Sequence, residues 1–258
     1  KSLMHTDWVA KEVLYFDTID STNIKAQELA EKGYPSGTLV VADKQESGKG
    51  RRGRSWVSPS GTGIFMTLMI KPDINPNNAS MLTLVAALAV AKAITSVTGE
   101  EALIKWPNDI VVNGKKVCGI LTEMTSAGPV MGIGINVNQS EDGFPPELRN
   151  IASSLRIICK REFCRAQIIA AVIEELDLIN AGFPEKREEY LKEYRENCAV
   201  IGEEISIERG EEIKKGRAVE IAENFGLEVI FENGEREVIT GGEVSVKGFY
   251  PANNIGRE

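Results

Sequence analysis

The sequence predicts an α+β fold, in which a mixed or antiparallel central sheet flanked by helices is followed by a small C-terminal β-barrel. Strand-like and helix-like segments are mixed along the chain up to Cys198. Asn113-Gly114 lies between two apolar runs, which is a strong signal for a two-residue hairpin. After Cys198 the chain changes to short segments of alternating polarity with turn residues between them. We therefore predict a first domain over residues 1–198 and the barrel over residues 199–258.

The first part of the chain predicts strands on both sides of a helix. Glu12–Phe16 is strand-like, and "DSTNIKAQELAEKG" predicts a helix with Asp20 or Ser21 as N-cap and Gly33 just past its end. The β-branched segment Thr38–Ala42 leads directly into a glycine-rich loop. The segment "GIFMTLMI" after this loop is apolar on both faces, as a central strand should be.

The segments that follow continue the mixed pattern. A long helix is expected at about Ser80–Val97, closed by Gly99, with a face of small apolar residues suited to close packing on a sheet. The segments "ALIKW", "IVVNGKKVCGILTE" and "VMGIGINV" predict further strands, and helices are expected at about Arg165–Asn180 and Pro184–Cys198. The barrel is predicted from "EISIE", "GRAVEIAE", "LEVIFENG" and "EVSVKG".

The composition excludes several classes of protein. The 258 residues carry a formal net charge of -8, whereas a general nucleic-acid binder usually has a basic surface. Zinc is disfavoured because no C-x-x-C pair occurs and the only histidine is His5, so the four cysteines are expected to be free thiols of a reducing cytosol. The longest apolar run, "MLTLVAALAVAKAI", looks too short to span a bilayer and contains Lys92. We expect a soluble, cytoplasmic protein that does not associate with membranes.

The stretch "QESGKGRRGRSW", Gln45–Trp56, places four cations on a glycine-rich backbone. Its glycines let successive N–H groups turn towards an anion, but it has neither the Gly-Lys-Ser/Thr ending of a Walker A loop nor a following helix. Such a cluster alone is more typical of an RNA-contacting tail. Its position between two strands, together with a stacking plane at Trp56, favours a ligand pocket instead.

Two further runs concentrate polar groups. In "KWPND", Lys105 at a strand end would place a cation where ligands bind, although a plain turn in which Asp109 accepts backbone N–H bonds explains the run equally well. In "DSTN", Asp20–Asn23, helix capping accounts for one residue, and the others suit a small polar group such as a ureido.

These motifs are similar, in order and approximate spacing, to those of the biotin protein ligases, or biotin-[carboxyl carrier protein] ligases. The resemblance rests on "DSTN", "ADKQESGKGRRGRSW", "KWPNDI", "CGILTE", "GIGINVN" and "GGEVSV" and extends over nearly the whole chain. Lys49 stands where many members have arginine, and a backbone contact there should survive the change. The resemblance is to the form without an N-terminal helix-turn-helix, because the chain has no room for one before Val13; we expect no DNA-binding domain and no repressor role in this chain.

The resemblance implies a catalytic domain like that of class II aminoacyl-tRNA synthetases and a two-step reaction. Biotin and ATP would give biotinyl-5′-AMP and pyrophosphate, and the biotinyl group would then pass to one lysine of a carrier domain. Lys105 would bridge the biotin carboxylate and the α-phosphate, and Arg51 would hold both groups; these two are the expected catalytic residues. The biotin-binding residues implied are Ser21, Thr22, Asn23, Gln45, Lys49, Gly50, Arg51 and Lys105.

The resemblance also implies a nucleotide site. Its expected residues are Arg51, Arg52, Arg54, Trp56, Asn108 and Asn136, with the indole facing the adenine. Mg²⁺ is expected with the ATP, held largely by phosphate oxygens, with Asp109 as a weak candidate ligand and no structural metal. The glycine-rich loop is expected to be mobile without ligand and to close over the adenylate.

The implied partners are biotin, ATP, a biotin carboxyl carrier protein domain of a biotin-dependent carboxylase, and a second copy of the chain in a homodimer. Two alternatives remain open. A lipoate ligase or octanoyltransferase also acylates a carrier lysine, although the arginine-rich loop with "KWPND" argues against it. An RNA-binding module could use the Arg/Gly loop and the small barrel, but the acidic net charge disfavours it.

Overall fold

The computed structural model describes residues 6–70, 79–182, 185–209, 212–240 and 243–246. Its first sheet contains β1 (Val13–Ile19), β2 (Leu39–Gln45), β3 (Gly63–Met69), β4 (Ala102–Lys105), β5 (Asp109–Val112), β6 (Lys115–Thr125) and β7 (Gly128–Asn136). The helices are α1 (Thr22–Glu31), α2 (Ala79–Thr98), α3 (Leu155–Cys159), α4 (Arg165–Gly182) and α5 (Arg187–Glu196). The second sheet contains β8 (Glu204–Arg209), β9 (Glu212–Ile221), β10 (Leu227–Phe231), β11 (Arg236–Ile239) and β12 (Glu243–Val246).

The first sheet has seven strands in the order β1-β2-β3-β7-β6-β5-β4. Its β1 and β2 are parallel, which requires a crossover, and α1 provides it; the other neighbours are antiparallel. Helix α1 packs on one face, against Val40, Met69 and Val130. Helices α2 and α4 cover the opposite face in the main core. The predicted mixed sheet flanked by helices is confirmed.

The local signals for the ends of α1 and for the hairpin are correct. Ser21 is the N-cap residue with an extended backbone, and Gly33, just past the helix, has a φ of 84°. At the turn between β5 and β6, Asn113 and Gly114 have φ values of 50° and 71°. Positive φ at both central residues is what a type I′ turn requires, so this dipeptide sets the hairpin.

Helix α2 confirms the predicted long helix and extends it by one residue at each end. The window Met81–Thr98 is long and apolar enough to cross a membrane by length and composition alone. In the structure it is a core helix, since it packs between the sheet and α4. Lys92 emerges at its side, with its Nζ 3.1 Å from a carboxylate oxygen of Glu193 and 3.7 Å from one of Glu175.

The C-terminal part is a five-stranded antiparallel sheet in the order β11-β10-β9-β8-β12. The sequence predicted four of these strands and missed β11, just as it missed the short helix α3. The sheet contacts the first domain, where the indole N–H of Trp106 donates to the carbonyl oxygen of Phe225 over 3.2 Å. The boundary at residue 198 stays a prediction.

The four cysteines are free thiols, as predicted. Cys118 and Cys198 are buried, and burial raises the pKa of both, that of Cys198 to about 11. A thiol with a raised pKa holds little of the reactive thiolate, so these two side chains serve the core.

Asp177 on α4 anchors the segment before β1. Its carboxylate accepts the backbone N–H groups of Asp7, Trp8 and Val9 over 2.7, 2.9 and 2.8 Å. Burial raises the pKa of Asp177, but the three N–H donors outweigh it and hold the pKa below its ordinary value. The anchor therefore stabilises the fold fully above the ordinary aspartate pKa of about 3.9 and loses this effect as the pH falls through the folded value.

We expect Asp177→Asn to make the protein less stable at neutral pH and less sensitive to acid. The difference in melting temperature between about pH 7 and about pH 3 should be smaller in the variant than in the wild type, because one group that must be protonated on acid unfolding is gone. Circular dichroism melts of both proteins at the two pH values measure this. An undiminished pH dependence would show that the anchor contributes nothing.

Candidate active site

The strand register places three glycines on one face of the first sheet. Lys105 pairs with Asp109, Asp109 with Gly119, and Gly119 with Gly134, so these four residues form one row across β4, β5, β6 and β7. Directly paired residues share a face. The next row on the same face contains Leu121, Gly132 and Thr67.

The three glycines let the side chains of Asn23 and Trp56 lie directly against the sheet. A Cβ at Gly132 would lie 2.1 Å from Oδ1 of Asn23, and one at Gly134 or Gly119 would lie 2.7 or 2.8 Å from the ring of Trp56. These distances are shorter than any real Cβ contact, so only glycine lets Asn23 and Trp56 lie this close to the sheet. We call the strip of this sheet face between α1 and the glycine-rich loop the groove. In this structure Asn23 and Trp56 occupy the positions that side chains at the three glycines would fill.

A polar cluster at the start of α1 closes one end of this groove. Ser21, Thr22 and Asn23 are buried, with 3, 4 and 4 % of their surfaces exposed. The carboxamide oxygen of Gln45 accepts from the backbone N–H of Thr22 over 2.8 Å, and its NH₂ lies 3.0 Å from Oγ of Ser58. The structure thus brings together the four residues expected at a biotin head group.

Three residues that sequence reasoning missed belong to this cluster. Oγ1 of Thr67, which is fully buried on β3, lies 2.8 Å from Oγ1 of Thr22 and 2.7 Å from Oδ1 of Asn23. Glu123 on β6 accepts from Nδ2 of Asn23 over 2.7 Å, and Ser58 supports Gln45. Thr67 lies on a strand outside the motifs, Ser58 lies two residues after Trp56, and Glu123 ends the "CGILTE" motif without a role assigned from the sequence.

The glycine-rich loop folds back on itself beside the groove. Gly50 N–H donates to the carbonyl of Arg54, and Trp56 N–H donates to that of Gly48, over 2.7 and 2.8 Å. Arg51 begins a short 3-10 turn in which Arg52 has a φ of 56°. Lys49, Arg52 and Arg54 are exposed, whereas the Arg51 side chain turns inward.

Arg51 and Asn108 join the loop to the "KWPND" run. Nη1 of Arg51 donates to Oδ1 of Asn108 over 2.6 Å. The amide group of Asn108 in turn donates to the carbonyl of Ile120 and to Asp109, both over 3.1 Å. The carboxamide is thereby fixed with its oxygen towards the guanidinium, and it holds Arg51 at the edge of the groove.

Two lysines lie at this end of the groove. Lys105 is 8 % exposed and starts the row that contains Gly119 and Gly134. Lys116, which the sequence did not single out, has its Nζ 2.7 Å from Oδ1 of Asp109 and 5.4 Å from the centroid of the Trp56 ring. Arg51, Lys105 and Lys116 thus place positive charge around one end of a groove whose other end is lined by hydroxyl and carboxamide groups, with the Glu123 carboxylate behind Asn23.

Asn136 marks a third polar position on the same face, two residues beyond Gly134 on β7. It is 5 % exposed, and its Oδ1 accepts from Nε2 of the buried Gln139 over 3.2 Å. The indole N–H of Trp56 is buried without a hydrogen-bond partner. Such a donor is available to a ligand bound beside it.

A cavity of about 200 Å³ adjoins Arg51 and Asn108. Its lining includes Trp106 and Leu121, together with Phe225 from the β9–β10 turn and Thr240 just after β11. Turns at the edge of the second sheet therefore bound the space next to the charged end of the groove.

Asp109 already has one carboxylate oxygen engaged by other side chains. Its Oδ1 is engaged by Lys116 and by the amide of Asn108. Among the described residues no group of three or more His, Cys, Asp or Glu side chains could hold a metal. A divalent cation here would have to draw most of its ligands from a bound anion.

The groove has the chemistry to bind an elongated ligand with a neutral polar head and an anionic tail. Convergent hydroxyl and carboxamide groups lie at one end, a floor of glycine lies in the middle, and cations lie at the other end. Cations fixed in a partly buried site are suited to bringing two anionic groups together, since they offset a repulsion that water would otherwise screen.

Comparison with known proteins finds close relatives of this chain. Residues 15–140 match the family described as "Biotin/lipoate A/B protein ligase family". The chain resembles the solved structure of the biotin protein ligase from Aquifex aeolicus in complex with biotin and ATP, with a TM-score of 0.82 and 32 % identity, over 92 % of this chain and 99 % of that one.

The curated relatives that match this chain are also named as ligases. The chain is 46 % identical over 175 residues to the "Bifunctional ligase/repressor BirA" of Bacillus spizizenii, covering 66 % of this chain and 54 % of that protein. It is 42 % identical over 130 residues to the "Biotin--[acetyl-CoA-carboxylase] ligase" of Paracoccus denitrificans, covering 48 and 53 % of the two chains. The chain thus spans about half the length of these curated relatives.

Proposed function

Since the chain belongs to the biotin/lipoate A/B protein ligase family, we propose that it is a biotin protein ligase. It would activate biotin with ATP to biotinyl-5′-AMP and pyrophosphate and then transfer biotin to a lysine of a biotin carboxyl carrier protein domain. The observation that carries this proposal is the groove itself, whose buried head-group cluster and cationic end suit a neutral cyclic urea with a carboxylate tail.

The head group of biotin would be bound at Ser21, Thr22, Asn23 and Gln45. A ureido group has one acceptor and two donors, and a pocket of hydroxyl and carboxamide groups can satisfy all three. Gly132 leaves room for the Asn23 side chain against the sheet, so that its carboxamide lies beside the head group. The backbone of Lys49 and Gly50 would close over the ligand as the loop orders.

The first step would take place at the cationic end. A carboxylate oxygen of biotin attacks the α-phosphorus of ATP, a new P–O bond forms, and the bond to the β-phosphate breaks to release pyrophosphate. Two anions must meet for this to happen. Arg51 and Lys105 would offset their repulsion, most strongly in the transition state, when charge accumulates on the phosphoryl oxygens. Lys116 is a further cation within the same region.

The second step would use the same cationic side chains as the first and would need no further charged residue. The amine nitrogen of the carrier lysine attacks the acyl carbon of the mixed anhydride, the bond to AMP breaks, and the nitrogen loses a proton. The cations that bind the phosphate also stabilise AMP as the leaving group. Closure of residues 48–54 over the intermediate would protect the anhydride from water until the carrier arrives.

The nucleotide would lie along Trp56 towards Asn136, with Asn108 fixing Arg51 and with Arg52 and Arg54 near the polyphosphate. Mg²⁺ would arrive with ATP and be held chiefly by phosphate oxygens. Asp109 is the candidate protein ligand and would have to share its carboxylate with Lys116.

The decisive test is exchange of labelled pyrophosphate into ATP by the purified chain. We expect exchange that depends on biotin and that is absent with lipoate or octanoate at equal concentration. Exchange supported by lipoate instead of biotin would assign the chain to the other branch of the family. No exchange with any of the three acids would refute the adenylating activity.

Replacing Trp56 with alanine should weaken ATP binding more than biotin binding. The indole is half-buried against Gly119 and Gly134, and its loss removes about 1–3 kcal/mol of stacking with a base. Isothermal titration calorimetry with each ligand should show that the affinity for ATP falls by about 5- to 150-fold and the affinity for biotin by less. The reverse order would assign the indole to biotin.

The proposal also includes the acceptor protein, the cellular compartment and the oligomeric state. The acceptor would be the carrier domain of a biotin-dependent carboxylase, the enzyme would act in the cytoplasm, and the active form would be a homodimer. Size-exclusion chromatography with light scattering, with and without biotin and ATP, tests the last point.

A further inference from the structure

The cavity beside Arg51 extends beyond the groove to the other face of the first sheet. Leu121 belongs to the groove face, and successive residues of a strand point to opposite faces, so Ile120 and Thr122 lie on the other face of β6. Both of them line the cavity, as does Leu84 of α2, the helix that covers that face. The cavity is therefore a space of its own, with Arg51 at the boundary between it and the groove.

The cavity has an apolar floor and a polar rim. Its fully buried lining side chains are all apolar, namely Leu84, Trp106, Ile120 and Phe225. Three threonines of the lining keep part of their surface in solvent: Thr83 and Thr122 are half-buried and lie 2.8 Å apart through their hydroxyl oxygens, and Thr240 is exposed. Such a lining suits an apolar group that enters from outside, because burial of apolar surface supplies the affinity.

The size of the cavity limits what it can hold. Its volume of about 200 Å³ exceeds the roughly 150 Å³ in which an apolar protein cavity holds a benzene molecule. It is smaller than the roughly 300–1,000 Å³ of pockets that bind small-molecule ligands and cofactors. One large apolar side chain fits, whereas a second nucleotide does not.

The cavity also lies beside a route to the reacting atoms. In the second step the carrier lysine must reach the acyl carbon near Arg51, while the head-group cluster closes the opposite end of the groove. Strand β5 pairs with β6 only from Lys115 to Gly119, although β6 continues to Thr125. Among the described strands the sheet therefore has an open edge next to the cavity. An approach along this edge would take the carrier past the cavity.

We propose that the cavity binds one apolar side chain of the carrier protein, within two residues of the acceptor lysine. Residues two positions apart in an extended chain point to the same side and lie roughly 7 Å apart, so a lysine in the groove places such a side chain over an adjoining space. A direct neighbour does so where the chain turns. The inference rests on the proposed function, since it takes the second substrate to be a carrier lysine.

A series of carrier variants locates this side chain. The carrier domain of an acetyl-CoA carboxylase is made with alanine at the two positions before and the two positions after the acceptor lysine, and leucine is then introduced at one position at a time. We expect leucine at one of the four positions to raise kcat/KM for biotin transfer by about 10- to 60-fold, since it buries up to three more carbon atoms than alanine. Lysine at that position should give no gain, because its ammonium would be buried beside Arg51.

Two substitutions of Thr122 separate filling of the cavity from damage to it. Thr122→Phe occupies part of the cavity, whereas Thr122→Val has nearly the size of threonine and only loses the contact with the Thr83 hydroxyl. Thr122→Phe should abolish the preference for leucine over alanine, and Thr122→Val should keep it. Because Thr122 faces away from the groove, biotin-dependent pyrophosphate exchange should stay within about twofold of the wild type in both variants.

Pyrophosphate exchange and transfer to each carrier, with melting temperatures to verify folding, are measured for the three proteins. A wild-type protein that biotinylates all carrier variants equally well would overturn the inference and leave the proposed function intact. An equal loss of transfer to leucine and alanine carriers in Thr122→Phe would also overturn it, since a filled cavity should affect only the leucine carrier. Absence of exchange, or of transfer to the unmodified carrier domain, would overturn the proposed function itself.

Discussion

On the proposed function, Arg51→Gly should convert a selective ligase into one that biotinylates lysines on unrelated proteins. The Arg51 guanidinium is held by Asn108 over 2.6 Å at the cationic end of the groove, where it would retain the adenylate. Losing one charge-assisted hydrogen bond of about 1.5–3 kcal/mol should speed release of the intermediate by roughly 10- to 150-fold. Adenylate formation should continue, because Lys105 and Lys116 remain.

The measurement is biotin transfer to a protein that has no carrier domain, such as serum albumin, detected with labelled avidin. Ser55→Gly is the matched control, since it adds the same backbone freedom to an exposed position of the same loop. Labelling of albumin by Arg51→Gly and not by Ser55→Gly supports the retaining role of the guanidinium. Equal selectivity in all three proteins would contradict it.

Lys105→Ala should reduce biotin-dependent pyrophosphate exchange by at least about a hundredfold. Removing one preorganised donor to a developing charge typically costs about 2.7–4 kcal/mol in the transition state. Lys105 is 8 % exposed, so its loss also removes packing, and a fall in melting temperature is expected. Activity must therefore be expressed per folded molecule.

Two further alanine variants make this test specific. Lys115→Ala is the control, because the Lys115 ammonium donates to the carbonyl of Asn150, away from the groove. Lys116→Ala tests the cation beside Trp56. Retained exchange in Lys105→Ala combined with lost exchange in Lys116→Ala would transfer the bridging role from Lys105 to Lys116.

The sequence predicted the parts of the fold that depend on neighbours along the chain. The ends of α1 follow from Ser21 and Gly33, and the β5–β6 hairpin follows from Asn113-Gly114. The helix α3 has five residues and β11 has four, which is too short for either to show a clear period. Their formation depends on tertiary contacts.

The residues of the candidate site also fall into two groups, those that a local motif identified and those that only the fold brings together. Residues within the "DSTN", glycine-loop and "KWPND" motifs were identified because each motif is unusual over a few positions. Thr67, Glu123 and Lys116 lie on strands whose sequences give no sign of which polar residues meet the groove, and only the strand register places them there. The alternating glycines of "GIGIN" were the available signal, since they indicate a strand with one face emptied of side chains.

The glycines beneath Asn23 and Trp56 allow the protein and its ligand to be redesigned together. A single Gly→Ala change would place a methyl group where Asn23 or Trp56 now lies and would displace that side chain towards the ligand. The natural ligand would then fit the altered protein poorly, and an analogue trimmed by one matching group would restore the fit. Such an altered protein would prefer the trimmed analogue to the natural ligand.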